Sequence, residues 1–339
     1  MNAVLPAVSV CIANYNGMAL IDDCIRSVLQ QDCRFAFEII IHDDASDDGS
    51  ARYIREHYPD IVLIDSADNA GFCIANNRMA KLARGKYLLL LNNDAALFPD
   101  ALRILHEAAE ASAVPTILGL PQYDAATGAL IDIGSVLDPF LNPIPNLDRG
   151  LKDVGMVIGA CLWLPRTLWN ELGGFPEWFG SLAEDMYLCC LARLWGYRVE
   201  ALPQSGYRHW AGLSFGGGKV VANRLTTSVR RRALSERNKT FVMMLTYPAP
   251  LLQVLLPLHL AILGLEGIVL ALMKRDGRLW RDIYFACFRA VWRQWTHVLR
   301  LRRQAQRRRR ASVRAFIAPF RFYPHKLLLL VRHGIPAVR

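Results

Sequence analysis

Apolar and polar positions follow two rhythms over the first hundred residues. Short apolar runs at Val8–Ala13, Glu38–His42, Ile61–Asp65 and Tyr87–Leu91 have the length of strands. Between them, Met18–Gln31 sets Ile21, Ile25, Val28 and Leu29 at helical spacing, and Ser50–His57 and Gly71–Ala83 read as two further helices. Strictly alternating strands and helices predict a parallel sheet covered on both faces. Each predicted strand stops in polar residues: Asn14-Tyr15-Asn16 after the first, Asp43 to Ser50 after the second, Asp68-Asn69-Ala70-Gly71-Phe72 after the third, and Asn92-Asn93-Asp94 after the fourth.

In an open α/β sheet, ligands bind outside the carboxyl ends of the strands, so these polar clusters converge on one rim with the geometry of a nucleotide site. The chain lacks both the G-x-G-x-x-G fingerprint and the G-x-x-x-x-G-K-[ST] loop, which argues against a dehydrogenase or a P-loop enzyme. At the fourth strand end, the Asp94 carboxylate can hold a cation and its phosphates, or Asn92 to Asp94 can form an ordinary polar turn. After the second strand, Asp47, Asp48 and Ser50 suit helix capping, whereas Asp43, directly at the strand end, suits a contact to a base or ribose.

Charge splits the 339 residues in two. Residues 1–218 hold 15 Lys/Arg and 26 Asp/Glu, a net of −11; residues 219–339 hold 25 and 4, a net of +21. The predicted organisation is therefore a large domain over 1–218 and a basic helical tail over 219–339 rich in Leu, Trp and Phe. An anionic membrane surface matches that tail better than nucleic acid, because the head is acidic and no nucleic-acid module accompanies the Arg307–Arg310 block. Residues 249–273 approach the length of a bilayer span, but Pro257, His259, Gly264 and Glu266 interrupt them. Basic residues flank both sides (Arg237 and Lys239; Lys274, Arg275 and Arg278), which favours a segment that lies in the interface or enters and returns. The eight cysteines form no C-x-x-C pair and the N-terminus has no basic, long-apolar leader pattern, so a reducing cytoplasm is expected.

Taken together, VSVCIANYN at 8–16, IIIHDDASDDGS at 39–50, NAGFCIANN at 69–77, LLLLNND at 88–94, GACLWLPRTLWNELGGFPEWF at 159–179 and the pair Glu184-Asp185 resemble family 2 glycosyltransferases of the GT-A fold. Within that family the likeness is to bacterial rhamnosyltransferase-like enzymes, in which L-N-x-D replaces D-x-D. The resemblance implies a Rossmann-like, mostly parallel sheet with helices on both faces. It assigns Asp43 to the nucleobase and Asn14, Asn16, Asn69, Gly71, Asn76 and Asn93 to the nucleotide pocket. Asp94 would bind a divalent cation, Mg2+ or Mn2+, bridging the two phosphates, with Asn92 beside it; the missing carboxylate at Asn92 implies a weak metal site completed by the nucleotide. Asp185 matches the general base.

A base is also required on chemical grounds. Displacement at an anomeric carbon needs a group opposite the leaving diphosphate to take the acceptor hydroxyl proton, and a carboxylate suits this. Ser181-x-x-Glu184 has capping-box spacing, so Glu184 is either a cap or a second site carboxylate. The chain departs from the family pattern at Tyr187 and at Leu191, where an Arg is expected, which affects acceptor preference. Tyr207 to Gly212 resembles an H-x-x-G element whose His209 is structural or reaches the metal; Arg208 has the charge to neutralise a diphosphate. Gly159 and Ala160 are small enough to admit a sugar, and Trp163, Trp169 and Trp178 are core residues or a stacking platform. Ser214–Lys219 is a linker or a closing loop.

These readings predict an inverting glycosyltransferase that moves a sugar from a dTDP- or UDP-sugar donor, dTDP-rhamnose among the candidates, to a saccharide acceptor, lipid-linked, in surface polysaccharide synthesis. The expected location is the cytoplasmic side of the inner membrane, peripheral or monotopic, with no nucleic-acid partner. A non-catalytic membrane adaptor that keeps the nucleotide pocket, and a nucleotidyltransferase, are the alternatives.

Overall fold

The computed structural model describes residues 5–210, 217–221, 224–334 and 337–338. Strands β1 (Val8–Asn14), β2 (Phe37–Asp43), β3 (Val62–Asp65) and β4 (Tyr87–Asn92) alternate with helices α1 (Ile21–Leu29), α2 (Ser50–His57) and α3 (Phe72–Leu82). β1 pairs in parallel with both β2 and β4, and β2 with β3. The registers Asn14↔Asp43, Asp43↔Asp65 and Ala13↔Asn92 bring all four carboxyl ends to one edge. β1 and β4 are buried along nearly their whole length, which explains why they read as continuous apolar runs and not as alternating ones. α1 turns Ile21, Cys24, Ile25 and Val28 inward. It starts at Ile21, not at Met18; Met18–Leu20 form a turn before it, in which the Met18 N–H donates to the Asp48 carboxylate.

The complete sheet has seven strands, in the order Arg198–Ala201, Thr116–Gly119, Cys161–Pro165, β4, β1, β2, β3. Cys161–Pro165 runs antiparallel to both of its neighbours, so the sheet is mixed and mostly parallel. A smaller sheet joins Ala95–Leu97, Tyr207–His209, Gln122–Asp124 and Leu130–Asp132. Both sheets belong to one compact unit, Met1–Ser135, Pro145–Ala192 and Tyr197–Ala211; the other unit comprises Val136–Ile144, Arg193–Gly196 and Gly212–Arg339.

The second unit is mainly helical. Its central helix, Val229–Thr246, is buried from Asn238 to Thr246. Leu251–Lys274 is the one helix among the described residues long and apolar enough to cross a membrane by length and composition. Pro257, Gly264 and Glu266 do not interrupt it, contrary to the sequence expectation. One side, with His259, Leu263, Gly267 and Leu270, is buried. A Cβ at Gly267 would come within 2.5–2.6 Å of Tyr284 and Trp280, so the returning chain packs directly on this glycine. Glu266 is held by Arg232 and by Lys326 Nζ at 3.0 Å, and Lys326 also meets Glu236 at 2.6 Å. Paired in this way, charges in a helical interior are tolerated. The opposite side of the helix exposes Val254, Leu258, Ile262, Leu265, Val269 and Leu272.

Candidate active site

Residues at the ends of β1, β2 and β4 are joined by side-chain hydrogen bonds. Asn14 Nδ2 donates to Asp43 Oδ2 at 2.7 Å and to Ser50 Oγ at 2.9 Å, and Asn14 Oδ1 accepts from Asn93 Nδ2 at 2.8 Å. Both oxygens of Asp43 also accept from Ser46, one from its N–H and one from its hydroxyl. Asp43 is therefore buried and shapes its own loop. Gly17 was not singled out by the sequence, yet a Cβ there would fall 2.1 Å from Asn14 Oδ1 and 2.2 Å from Asn93 Nδ2, so only glycine lets that pair form. Asn16, at φ 48°, accepts the Asp47 N–H through Oδ1 and donates its own N–H to Ser46.

The β3 end is set by a residue that sequence reasoning passed over. Asp44 is buried and accepts the N–H groups of Ala70 and Gly71, at 2.7 and 2.8 Å. Gly71 has φ +90°, which the turn into α3 requires. Asn69 is exposed beside it, while Asn76 is buried and donates to Phe72 O within α3. Asn77, also unforeseen, donates to Phe175 O and accepts Phe175 N–H, clamping α3 to the segment that precedes Asp185.

At the β4 end, Asp94 is 5% exposed, with Oδ1 3.0 Å from His209 Nε2. Gln122 Nε2 lies 3.0 Å from His209 Nδ1, and Tyr207 donates its hydroxyl to Gln122 Oε1 at 3.3 Å. With the Gln122 amide donating, His209 carries its proton on Nε2 and donates it to Asp94. Gln122 thus fixes the ring that fixes the carboxylate; nothing in its sequence context signals this. Arg208 is exposed between buried Tyr207 and His209, so strand alternation turns it away from the Asp94 side. Asn92 Oδ1 is buried without a hydrogen-bond partner among the described residues.

Asp185 accepts the Gly159 N–H on Oδ2 at 2.9 Å and the Met186 N–H on Oδ1 at 2.7 Å. Burial nevertheless pushes its carboxyl above the ordinary carboxylate range. Next in sequence, Ala160 O accepts the Asn92 N–H at 3.1 Å. One dipeptide, Gly159-Ala160, therefore holds Asp185 on one side and the end of β4 on the other. Helix Glu184–Leu194 begins at Glu184, after Leu182 and Ala183 at φ 73° and 63°. Non-glycine residues in this left-handed region are strained, and such strain clusters at functional sites. The capping-box reading fails here, because it would need Leu182 and Ala183 to be helical. Glu184 is instead buried at the helix start. Leu191 is buried where the resemblance leads one to expect an arginine, and Trp163 and Trp169 are core residues.

Residues 9–168 match the model described as Glycosyl transferase family 2. They form a family 2 glycosyltransferase domain. Chondroitin synthase of Escherichia coli is 37% identical to the chain over 189 residues, 54% of this chain and 26% of that protein. The N-acetylglucosaminyl-diphospho-decaprenol L-rhamnosyltransferase of Mycobacterium tuberculosis is 26% identical over 180 residues, 44% of this chain and 59% of that protein. The chain spans only 33%, 26% and 25% of the length of the first three curated relatives it matches. Among solved structures, a mannosyltransferase from Pyrobaculum calidifontis in complex with GDP-Man and Mn2+ aligns with a TM-score of 0.53 at 19% identity, over 86% of this chain and 88% of that one. That likeness shows the GT-A-type fold expected from the sequence.

Within the glycosyltransferase domain, the donor set at β4 suits a hard divalent cation. A buried carboxylate and an orphaned amide oxygen offer oxygen ligands, and such ions are commonly held by one or two protein groups plus substrate phosphates. No group of three or more His, Cys, Asp or Glu side chains among the described residues makes a metal cage. Residues 211–216 lie outside the described residues, and with them Gly212 of the H-x-x-G element and the start of the Ser214–Lys219 loop.

Proposed function

We propose that the chain transfers one sugar from a nucleoside-diphosphate donor to a saccharide acceptor and inverts the anomeric centre. The observation that carries this reading is the Gly159-Ala160 dipeptide, whose backbone binds the Asp185 carboxylate and the Asn92 N–H and so ties a proton acceptor to the cation-suited end of β4. Asp94 and Asn92 would hold Mg2+ or Mn2+, which when bound neutralises charge on the leaving diphosphate. Asn14, Asp43 and Asn93, locked to one another, form a preorganised wall for the nucleotide, and His209, itself held by Gln122, keeps Asp94 oriented. As the bond from the anomeric carbon to the diphosphate oxygen breaks, the acceptor oxygen bonds to that carbon from the opposite side and its proton passes to Asp185.

The donor in this reading is a dTDP- or UDP-sugar, with dTDP-rhamnose the first to test, and the acceptor is a lipid-linked saccharide of a surface polysaccharide. The exposed apolar side of Leu251–Lys274 supports attachment to the cytoplasmic face of the inner membrane, with the helix in the interface and its polar residues turned inward. Thermal unfolding with UDP, dTDP and GDP, each with and without Mn2+, tests the donor assignment. One of the first two is expected to raise Tm most, and only with the cation, because a ligand stabilises the state it binds in proportion to affinity. Equal Tm values in all conditions would overturn the assignment.

A further inference from the structure

Helix His325–His333, in the second unit, is pinned to its neighbours on one side only. Asp138 accepts the His325 N–H at 3.0 Å, and Lys326 Nζ lies between Glu236, at 2.6 Å, and Glu266, at 3.0 Å. Leu329, three residues on from Lys326 and so on the same side of the helix, is half-buried. The other side is aliphatic. Leu327, Leu328, Leu330 and Val331, at i, i+1, i+3 and i+4, are 55%, 42%, 44% and 77% exposed. A surface helix of a soluble domain turns such residues inward and its charges outward; here the charged anchor is inside and the leucines are outside. Phe322, just before the helix, is exposed as well.

Charge points to what covers this side. Residues 219–339 contain only four acidic residues, and each is paired with a cation of the same unit. Glu236 meets Lys239 and Lys326, Glu266 meets Arg232 and Lys326, Asp276 meets Arg278, and Asp282 meets Arg281. Against them stand 25 Lys/Arg, of which Arg321 and Arg332, both exposed, bracket the segment 322–331. A second copy of the chain would bring the same excess of positive charge to the contact, which opposes self-association. An anionic bilayer accepts both features, with aliphatic side chains among the acyl chains and cations at the level of the phosphates. We propose that His325–His333 is a second membrane-inserting element, lying in the interface with Leu327, Leu328, Leu330 and Val331 in the acyl region. The inference rests on the membrane-surface part of the proposed function and adds an element to it. The bond from Lys326 to Glu266 couples this element to Leu251–Lys274, the helix that reading already uses.

Vesicle co-sedimentation and amide hydrogen exchange of the full chain test it together, with vesicles of equal parts phosphatidylcholine and phosphatidylglycerol. The wild type is expected to sediment with the vesicles, and exchange at residues 327–331 to slow roughly tenfold or more when they are added. Leu327→Gln/Val331→Gln, which keeps the net charge and introduces a good helix former, is expected to lose roughly tenfold of that binding. A control, Leu29→Gln/Leu82→Gln, makes a like change at two exposed leucines of the first unit and should lose markedly less. Wild type that sediments with exchange at 327–331 unchanged overturns the inference and leaves membrane attachment standing. So does a helix variant that binds like wild type, or a control that loses as much. Wild type that does not sediment overturns the membrane reading and this inference with it. Exchange at 327–331 that slows with rising protein concentration in the absence of vesicles assigns the aliphatic side to a second copy of the chain and also overturns the proposal. Far-ultraviolet circular dichroism checks that the variants fold, and Leu327→Ala/Val331→Ala replaces the glutamine pair if it does not.

Discussion

Asp185→Asn is expected to lower sugar transfer by roughly 10²–10⁴-fold with donor binding unchanged, the range lost when a positioned general base is removed. The reason is local. Both carboxylate oxygens accept backbone N–H groups, from Gly159 and Met186, so the side chain has one orientation and asparagine can keep only one of those bonds. The same burial that raises the carboxyl pKa suits it to take a proton near neutrality. Its acid limb in kcat/KM should therefore lie above the ordinary carboxylate range and vanish in the variant. Stability moves the other way. A raised folded-state pKa means the native protein binds this proton more tightly than the unfolded chain does, so ionisation costs nothing below the unfolded value and a full penalty once pH exceeds the folded value. The wild type should lose stability relative to Asp185→Asn across that window. A pH series of urea unfolding on both proteins, run beside kcat/KM profiles, checks both signs; an unchanged acid limb in the variant would remove Asp185 from the proton transfer.

Asp94→Asn is the second large effect. Asparagine keeps an oxygen for the His209 Nε2 proton, so the buried pair survives while the only carboxylate at the β4 end loses its charge. Alanine would leave the imidazole donor buried without an acceptor and confuse loss of charge with loss of fold. With Asn92 already neutral, the variant offers a cation no formal charge at all. Nucleotide affinity measured by calorimetry in Mn2+ should fall about 100-fold or more, to the value seen in EDTA, while the affinity in EDTA stays the same. An Asp94→Asn protein whose affinity still rises with Mn2+ would place the cation elsewhere.

The sheet and its rim were legible because burial on both faces writes parallel strands as short apolar runs, and the polar residues that stop them are consecutive in sequence. That pattern singles out Asn14, Asp43, Asn93 and Asp94, and they do lie at the carboxyl ends of β1, β2 and β4. Asp44 was not singled out, because adjacent residues at a strand end point to opposite sides, and sequence alone does not say which of Asp43 and Asp44 closes the next loop. Gln122 and Gly17 act through partners far along the chain, His209 and Asn93, and carry no local signal. The capping-box spacing at Ser181 misled because spacing does not encode φ, and two left-handed residues displaced the helix start to Glu184 itself. In the second half, composition revealed an apolar segment with basic flanks. Only packing separates its side bearing His259 and Gly267 from the exposed one. The segments Val136–Ile144 and Arg193–Gly196, which belong to the helical unit, were invisible to a division drawn by charge at residue 218.

Hydrolysis of the donor in the absence of acceptor probes the central claim most directly, since water can stand in for the acceptor hydroxyl. Purified protein is incubated with dTDP-rhamnose, UDP-sugars and GDP-mannose, with Mn2+ or EDTA, and the released nucleotide is separated by ion-exchange chromatography. Slow release of nucleoside diphosphate from one donor class is expected, dependent on the cation, abolished in Asp94→Asn and strongly reduced in Asp185→Asn. Pyrophosphate as the product would indicate nucleotidyl transfer. Tight donor binding with no release from any of them would mark a binding module that has kept the pocket without the chemistry, and either result would exclude sugar transfer by this site.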